Sequence, residues 1–145
     1  MTVELIEASE RPTAVRAAAT TWQAFPRLWK VLLDEVYTVV DGKTNVMLYR
    51  DDVPHVEVGV LAPDGFVPSG RVIASALPAG RVARAVHRGP FTELHATHRA
   101  VLDWCAEHGH ALSGVRWEVY GHHHPDPAQL ETEICWALST GSTGV

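Results

Sequence analysis

The sequence predicts an α+β fold in which two β-α-β-β units share one antiparallel sheet with both helices on one face. Two helical periodicities of similar length, strand-like runs in the same order around each, and residue echoes between the halves carry that expectation. A first strand is read over Thr13 to Ala18. A helix follows from about Gln23 to Val40, where Phe25, Leu28, Trp29, Leu32, Leu33 and Val36 recur at the spacing of one face. Pro26 suits its first turn, where the missing N–H is not needed, and Asp41-Gly42 offers a left-handed stop. Strands at Asn45 to Arg50 and Val56 to Leu61 complete the first unit.

The segment Ala62 to Pro78, rich in Pro and Gly, reads as the connection between units. A strand at Arg81 to His87 opens the second. Its helix begins after Gly89-Pro90, puts Phe91, Leu94, His98, Val101, Leu102 and Cys105 on one face, and stops at His108-Gly109. Strands at Arg116 to Gly121 and Leu130 to Leu138 close the chain. Met47-Leu48-Tyr49 is echoed by Glu118-Val119-Tyr120, and Val56-Glu57-Val58 by Thr132-Glu133-Ile134, so the two units read as an internal repeat. Residues 1–145 are expected to form one domain, with repeats at about 1–62 and 79–140.

Alternation assigns faces. Val46, Leu48, Val56, Val58, Val60, Trp117, Val119, Ile134, Trp136 and Leu138 are expected to meet the helices. The other parity collects Met47, Tyr49, Glu57, Gly59, Leu61, Glu118, Tyr120, Glu133 and Cys135. That mixture of aromatic and acidic groups suits a surface on which an apolar ligand with polar or positive character docks.

Composition narrows the function. With 46% apolar and 20% charged residues among 145, the chain is long enough for a core that needs no disulfide or metal. Its 12 Lys plus Arg are outnumbered by 17 Asp plus Glu, giving a net charge of -5, and they are scattered singly, which argues against direct nucleic-acid binding. The two cysteines, Cys105 and Cys135, read as reduced thiols. Glu4, Glu7, Glu10 and Arg11 interrupt the start, so no export leader is visible, and no stretch approaches the ~18 apolar residues of a membrane span. A soluble, cytoplasmic protein without a membrane partner is expected.

Glu118 is the foremost candidate. It stands between Trp117 and Val119, with Tyr120 two positions on, where the first unit has the uncharged Met47. A carboxylate among aromatics loses solvation, so its pKa rises unless a cation or donor compensates; it then serves as a counter-ion for a cationic ligand or as a general base. The plainer alternative is a surface strand glutamate. Tyr49 and Tyr120, at equivalent places, are expected across a shared groove where they could clamp a planar ligand, although strand tyrosines also simply pack well. Trp29, Trp117 and Trp136 read as core, whereas Trp22, ahead of its helix, could line a pocket mouth. His87 is a candidate proton carrier or a capping histidine.

Other chemistry finds little support. His122-His123-His124 and the pair His95 and His98 hint at metal, but there is no HExxH or CxxC, and a solvated loop explains the triple histidine. Ser9, Ser69, Ser75, Ser113 and Ser139 lie in no Gly-x-Ser-x-Gly elbow, and no phosphate loop or dinucleotide fingerprint occurs. No metal and no cofactor is expected.

His87-Arg88-Gly89-Pro90-Phe91, the helix Leu94 to His108, Trp117-Glu118-Val119-Tyr120 and Glu131-Thr132-Glu133-Ile134 before Trp136-Ala137-Leu138 together resemble the GyrI-like small-molecule-binding family. That family includes the effector-binding domains of multidrug-sensing transcription activators. The first half resembles it through Leu48-Tyr49-Arg50-Asp51 and Val56-Glu57-Val58-Gly59-Val60. The resemblance implies a duplicated fold around a concave, pseudo-twofold aromatic pocket whose central carboxylate, matched by Glu118, engages the ligand. The chain departs from the family pattern after Tyr120, where Gly121 and three histidines stand in place of an Asn/Asp-Pro turn at the pocket rim.

Family members of this kind sense drugs within regulators, modulate gyrase, or bind and hydrolyse cyclopropane-containing toxins. The leading expectation is a stand-alone binding domain for bulky apolar, often cationic or electrophilic compounds, using Glu118, Tyr120, Tyr49, Met47, Trp22 and His87. As an alternative, Glu118 activates water and Tyr120 donates a hydrogen bond while a strained ring opens, a hydrolase reading linked to toxin resistance. The other alternative is a gyrase-interacting modulator. No helix-turn-helix precedes the domain, so a regulatory role would call for a homodimer or a separate regulatory partner.

Overall fold

A computed structural model of the chain describes residues 2–139. The strands are β1 (Glu4–Ala8), β2 (Arg11–Ala19), β3 (Asn45–Tyr49), β4 (His55–Leu61), β5 (Ile73–Leu77), β6 (Gly80–Arg88), β7 (Leu112–Tyr120) and β8 (Glu131–Leu138). Helix α1 (Phe25–Tyr37) lies between β2 and β3, and α2 (Leu94–Glu107) between β6 and β7. All strands join one sheet in the order β1-β6-β8-β7-β3-β4-β2-β5. Every pairing is antiparallel. The order is symmetric about the central β3–β7 pair.

Two strands were not expected. β1 and β5 each precede a longer strand by two residues, yet β1 pairs with β6 and β5 with β2, so each unit lends its first strand to the other. The segment read as a connection, Ala62 to Pro78, therefore contains β5. Its Ala and Ser residues have weak strand propensity, and cross-unit pairing supplies what local preference lacks.

α1 begins with Pro26 in its first turn, and Thr21 Oγ1 accepts the Ala24 N–H at 3.1 Å. It ends at Tyr37, earlier than Asp41-Gly42, where the Thr38 hydroxyl donates back to the Glu35 carbonyl at 2.6 Å. α2 stops as expected at Gly109, whose φ of 72° is the left-handed conformation that glycine adopts without Cβ strain.

Register decides the faces. Val58, Met47, Glu118, Ile134 and Ala85 lie side by side across five strands and so project to one side of the sheet. On that side α1 packs Phe25, Leu32, Leu33 and Val36 against Met47, Tyr49, Val56, Val58 and Val60. α2 packs Val101 and Cys105 against Ala83, Ala85 and Ile134 on the same side. Each fully buried Val, Leu or Ile here contributes on the order of 1.5–3 kcal/mol of transfer free energy. The expected parity holds for β4 and β8 but is inverted for β3 and β7: Val46, Leu48, Trp117 and Val119 point away from the helices and form a second core with Leu77, Val82 and Cys135. Ile6 from one sheet edge and Leu77 from the other join this cluster, so the sheet curves around it. Glu57 and Glu133 sit at its margins; Arg50 pairs with Glu57, which also accepts from the Ser75 hydroxyl, and Arg11 and Arg84 pair with Glu133.

Candidate functional site

Between α2 and the sheet lies a cavity of about 370 Å³. Trp22, Tyr49 and Trp136 supply its aromatic walls, Leu94 and Leu102 its apolar side, and Glu118 and Arg116 its polar floor. His95, His98 and Arg99 of α2 complete the lining. Leu94, His98 and Leu102 lie four residues apart on the helix stripe that sequence reading placed on one face. Only Thr97, Val101 and Cys105 of α2 are buried, and the rest of the stripe overhangs the groove.

Glu118, on β7, is 6% exposed. Its Oε1 accepts hydrogen bonds from the Tyr49 hydroxyl at 3.0 Å and the Tyr120 hydroxyl at 2.5 Å. Its Oε2 lies 2.7 Å from His98 Nε2. The Trp136 indole N–H donates to His98 Nδ1 at 3.0 Å. An indole N–H can only donate, so Nδ1 carries the lone pair and the proton sits on Nε2, aimed at Glu118. Burial pushes the Glu118 carboxyl up, but the hydrogen bonds from His98, Tyr120 and Tyr49 outweigh it and hold the group below its ordinary value. For both tyrosines, burial and then the adjacent carboxylate push the phenol well above its ordinary value, so they stay protonated donors.

Arg116, two residues before Glu118 on the same strand face, is 7% exposed. Its guanidinium carbon lies 5.4 Å from the centroid of the Trp22 ring, 5.7 Å from that of Tyr49 and 4.9 Å from that of Trp136. It donates to the Gly114 carbonyl at 3.0 Å, and its Nη2 pairs with the Asp52 carboxylate at 2.9 Å. Trp22, half exposed at the mouth, donates its indole N–H to the Asp52 carbonyl at 3.2 Å and packs on Phe25 and Tyr49.

The expected site residues thus fall into three groups. Glu118, Tyr49 and Trp22 lie on the cavity wall. Tyr120 and Met47 stand beside Glu118 without lining the cavity: Met47 Sδ is 3.5 Å from the Tyr49 hydroxyl and 3.4 Å from that of Tyr120. The two tyrosines converge on the carboxylate rather than facing each other across a ligand. His87 is elsewhere, buried, its Nε2–H donating to the Pro90 carbonyl at 3.1 Å and its Nδ1 accepting from Thr97 at 2.7 Å, so it ties β6 to α2. His122, His123 and His124 lie exposed between β7 and β8. Sequence reading missed His98 as the partner of Glu118, Arg116 altogether, and Trp136 as a wall rather than core. A signal existed for Arg116, since Arg116, Glu118 and Tyr120 alternate on one face of one strand.

A family model described as the GyrI-like small molecule binding domain matches residues 51–139. The chain belongs to this family. No curated protein has significant sequence similarity to it. Among solved structures, this GyrI-like chain is similar to the EcmrR C-terminal domain, at 20% identity and a TM-score of 0.76 over 95% of this chain and 97% of that one. SAV2435 bound to tetraphenylphosphonium matches at 11% identity and a TM-score of 0.71, over 99% and 98% of the two chains. A hydrolase encoded by lin2189 from Listeria innocua matches at 14% identity and a TM-score of 0.60, over 94% and 91%. At these identities the likeness is one of fold.

Proposed function

We propose that the protein binds bulky aromatic small molecules in the cavity between α2 and the sheet and releases them unchanged. One observation carries this reading: a cavity of about 370 Å³ walled by three aromatic side chains, with a fully bonded carboxylate as its floor. Sites of that size and lining suit drug-sized ligands, whose rings bury apolar area while a few polar groups set orientation. The SAV2435 complex with tetraphenylphosphonium supports the reading by analogy of fold.

The hydrolase alternative asks Glu118 to take a proton from water. Three donors already hold its charge, which lowers its basicity and opposes that step. The lin2189 likeness keeps the alternative worth testing, whereas no residue seen here favours a gyrase-directed role. The test is a tryptophan-fluorescence titration with cationic, neutral and anionic polycyclic compounds, paired with mass analysis after incubation with cyclopropane-containing electrophiles. Saturable quenching by at least one compound is expected, weakened about tenfold or more by Leu102→Trp, whose larger side chain occupies the cavity. Absence of binding across the panel overturns the reading; products heavier by one water show turnover instead.

A further inference from the structure

Resting on that reading, the lining also specifies the charge of the ligand. A cation entering an aromatic pocket seeks ring faces and a carboxylate. Here both are taken. Arg116 already stands over Trp22, Tyr49 and Trp136, and Glu118 accepts from Tyr49, Tyr120 and His98. A second cation would have to displace a buried guanidinium or sit against it. The cavity lining holds two guanidinium groups, Arg116 within and Arg99 exposed on α2, against the one carboxylate of Glu118.

An anion meets the opposite situation. Of the five N–H groups of Arg116, one donates to the Gly114 carbonyl, and Nη2 forms an ion pair with Asp52. The remainder have no partner among the described residues, although the side chain is only 9% exposed. Asp52 itself is 89% exposed, so its hold on Arg116 is solvent-screened and open to replacement by a better-placed acid. We propose that Arg116 makes this a site for planar aromatic anions. The ligand's rings fill the cavity against Leu94 and Leu102, and a carboxylate or similar acid pairs with the guanidinium.

Calorimetric titration with 2-naphthoate and 2-naphthylmethylammonium tests this, because the two share a ring system and differ in charge. Wild-type protein is expected to bind naphthoate about tenfold or more tightly than the ammonium. Arg116→Met, checked for folding by circular dichroism, is expected to lose that preference. Because Arg116 is buried and its variant could misfold, Asp52→Asn provides a second arm on an exposed residue: removal of the competing carboxylate is expected to tighten naphthoate by a few-fold. Equal affinity or a cation preference in the wild type overturns the inference while leaving the cavity a ligand site, as does unchanged naphthoate affinity in Asp52→Asn. If neither naphthyl compound binds while other aromatics quench fluorescence, the inference again falls alone. If nothing binds, it falls together with the binding reading.

Discussion

At the residue scale the site is a carboxylate held by three side-chain donors. Glu118, Tyr49 and Tyr120 were legible because the repeat places them at matching positions among aromatics. His98 was not, since a histidine on a helical stripe looks the same whether it meets a core or a carboxylate on a distant strand. The network has a directional weakness. Glu118→Gln keeps one acceptor oxygen and replaces the other by an NH2 donor, so the amide oxygen can accept from the tyrosines or from His98 Nε2–H but not from all three, while the Trp136 N–H prevents the imidazole from changing tautomer. Leaving one buried donor unpaired is expected to cost about 1–3 kcal/mol, read as a shift in the urea midpoint at unchanged slope.

At the element scale, the order of strands and helices was readable from periodicity, but the facing of β3 and β7 was not. β3 is apolar on both sides, with Val46 and Leu48 opposite Met47 and Tyr49, so alternation divides its side chains without saying which set meets the helices, while in β7 the polar set Arg116, Glu118 and Tyr120 takes the helix side against the usual rule that the apolar set does. Pairing with β4 and β8, whose facing is unambiguous, settles it. One such pairing is sensitive to a single methyl. A Cβ on Gly59 of β4 would lie 1.9 Å from the Ala14 carbonyl oxygen on β2, so Gly59→Ala must push the two strands apart. A loss of about 3 kcal/mol or more, or failure to accumulate soluble protein, is expected in denaturant titration.

At the scale of the whole molecule, the exchange of β1 and β5 ties each unit to the other, and Glu118 ties them again at the β3–β7 junction. Tyr49 reaches it from the first unit; Tyr120, His98 and, through His98, Trp136 reach it from the second. That junction makes acid sensitivity a property of the fold. The folded carboxyl of Glu118 lies below the ordinary 4.5, so its contribution to stability is present above that pH. As pH falls from 4.5 toward the lowered folded value, the unfolded chain takes up the proton first and the contribution is lost. Melting temperature is therefore expected to fall more steeply with acid in the wild type than in Glu118→Gln, whose starting value is lower but whose side chain does not titrate. Parallel profiles would show that Glu118 carries no net stabilising charge interaction.

Read alone, the residues determined the fold class, the two helices and six of the eight described strands, and singled out Glu118, Tyr49 and Tyr120 without their mutual contact, because each is written in local periodicity or in the echo between repeats. The exchanged edge strands, the facing of β3 and β7, the seating of His98 on Glu118 and of Arg116 among three rings were decided by tertiary structure. Each depends on which strand lies beside which, a choice made by packing energy summed over the whole sheet rather than by any short stretch of chain.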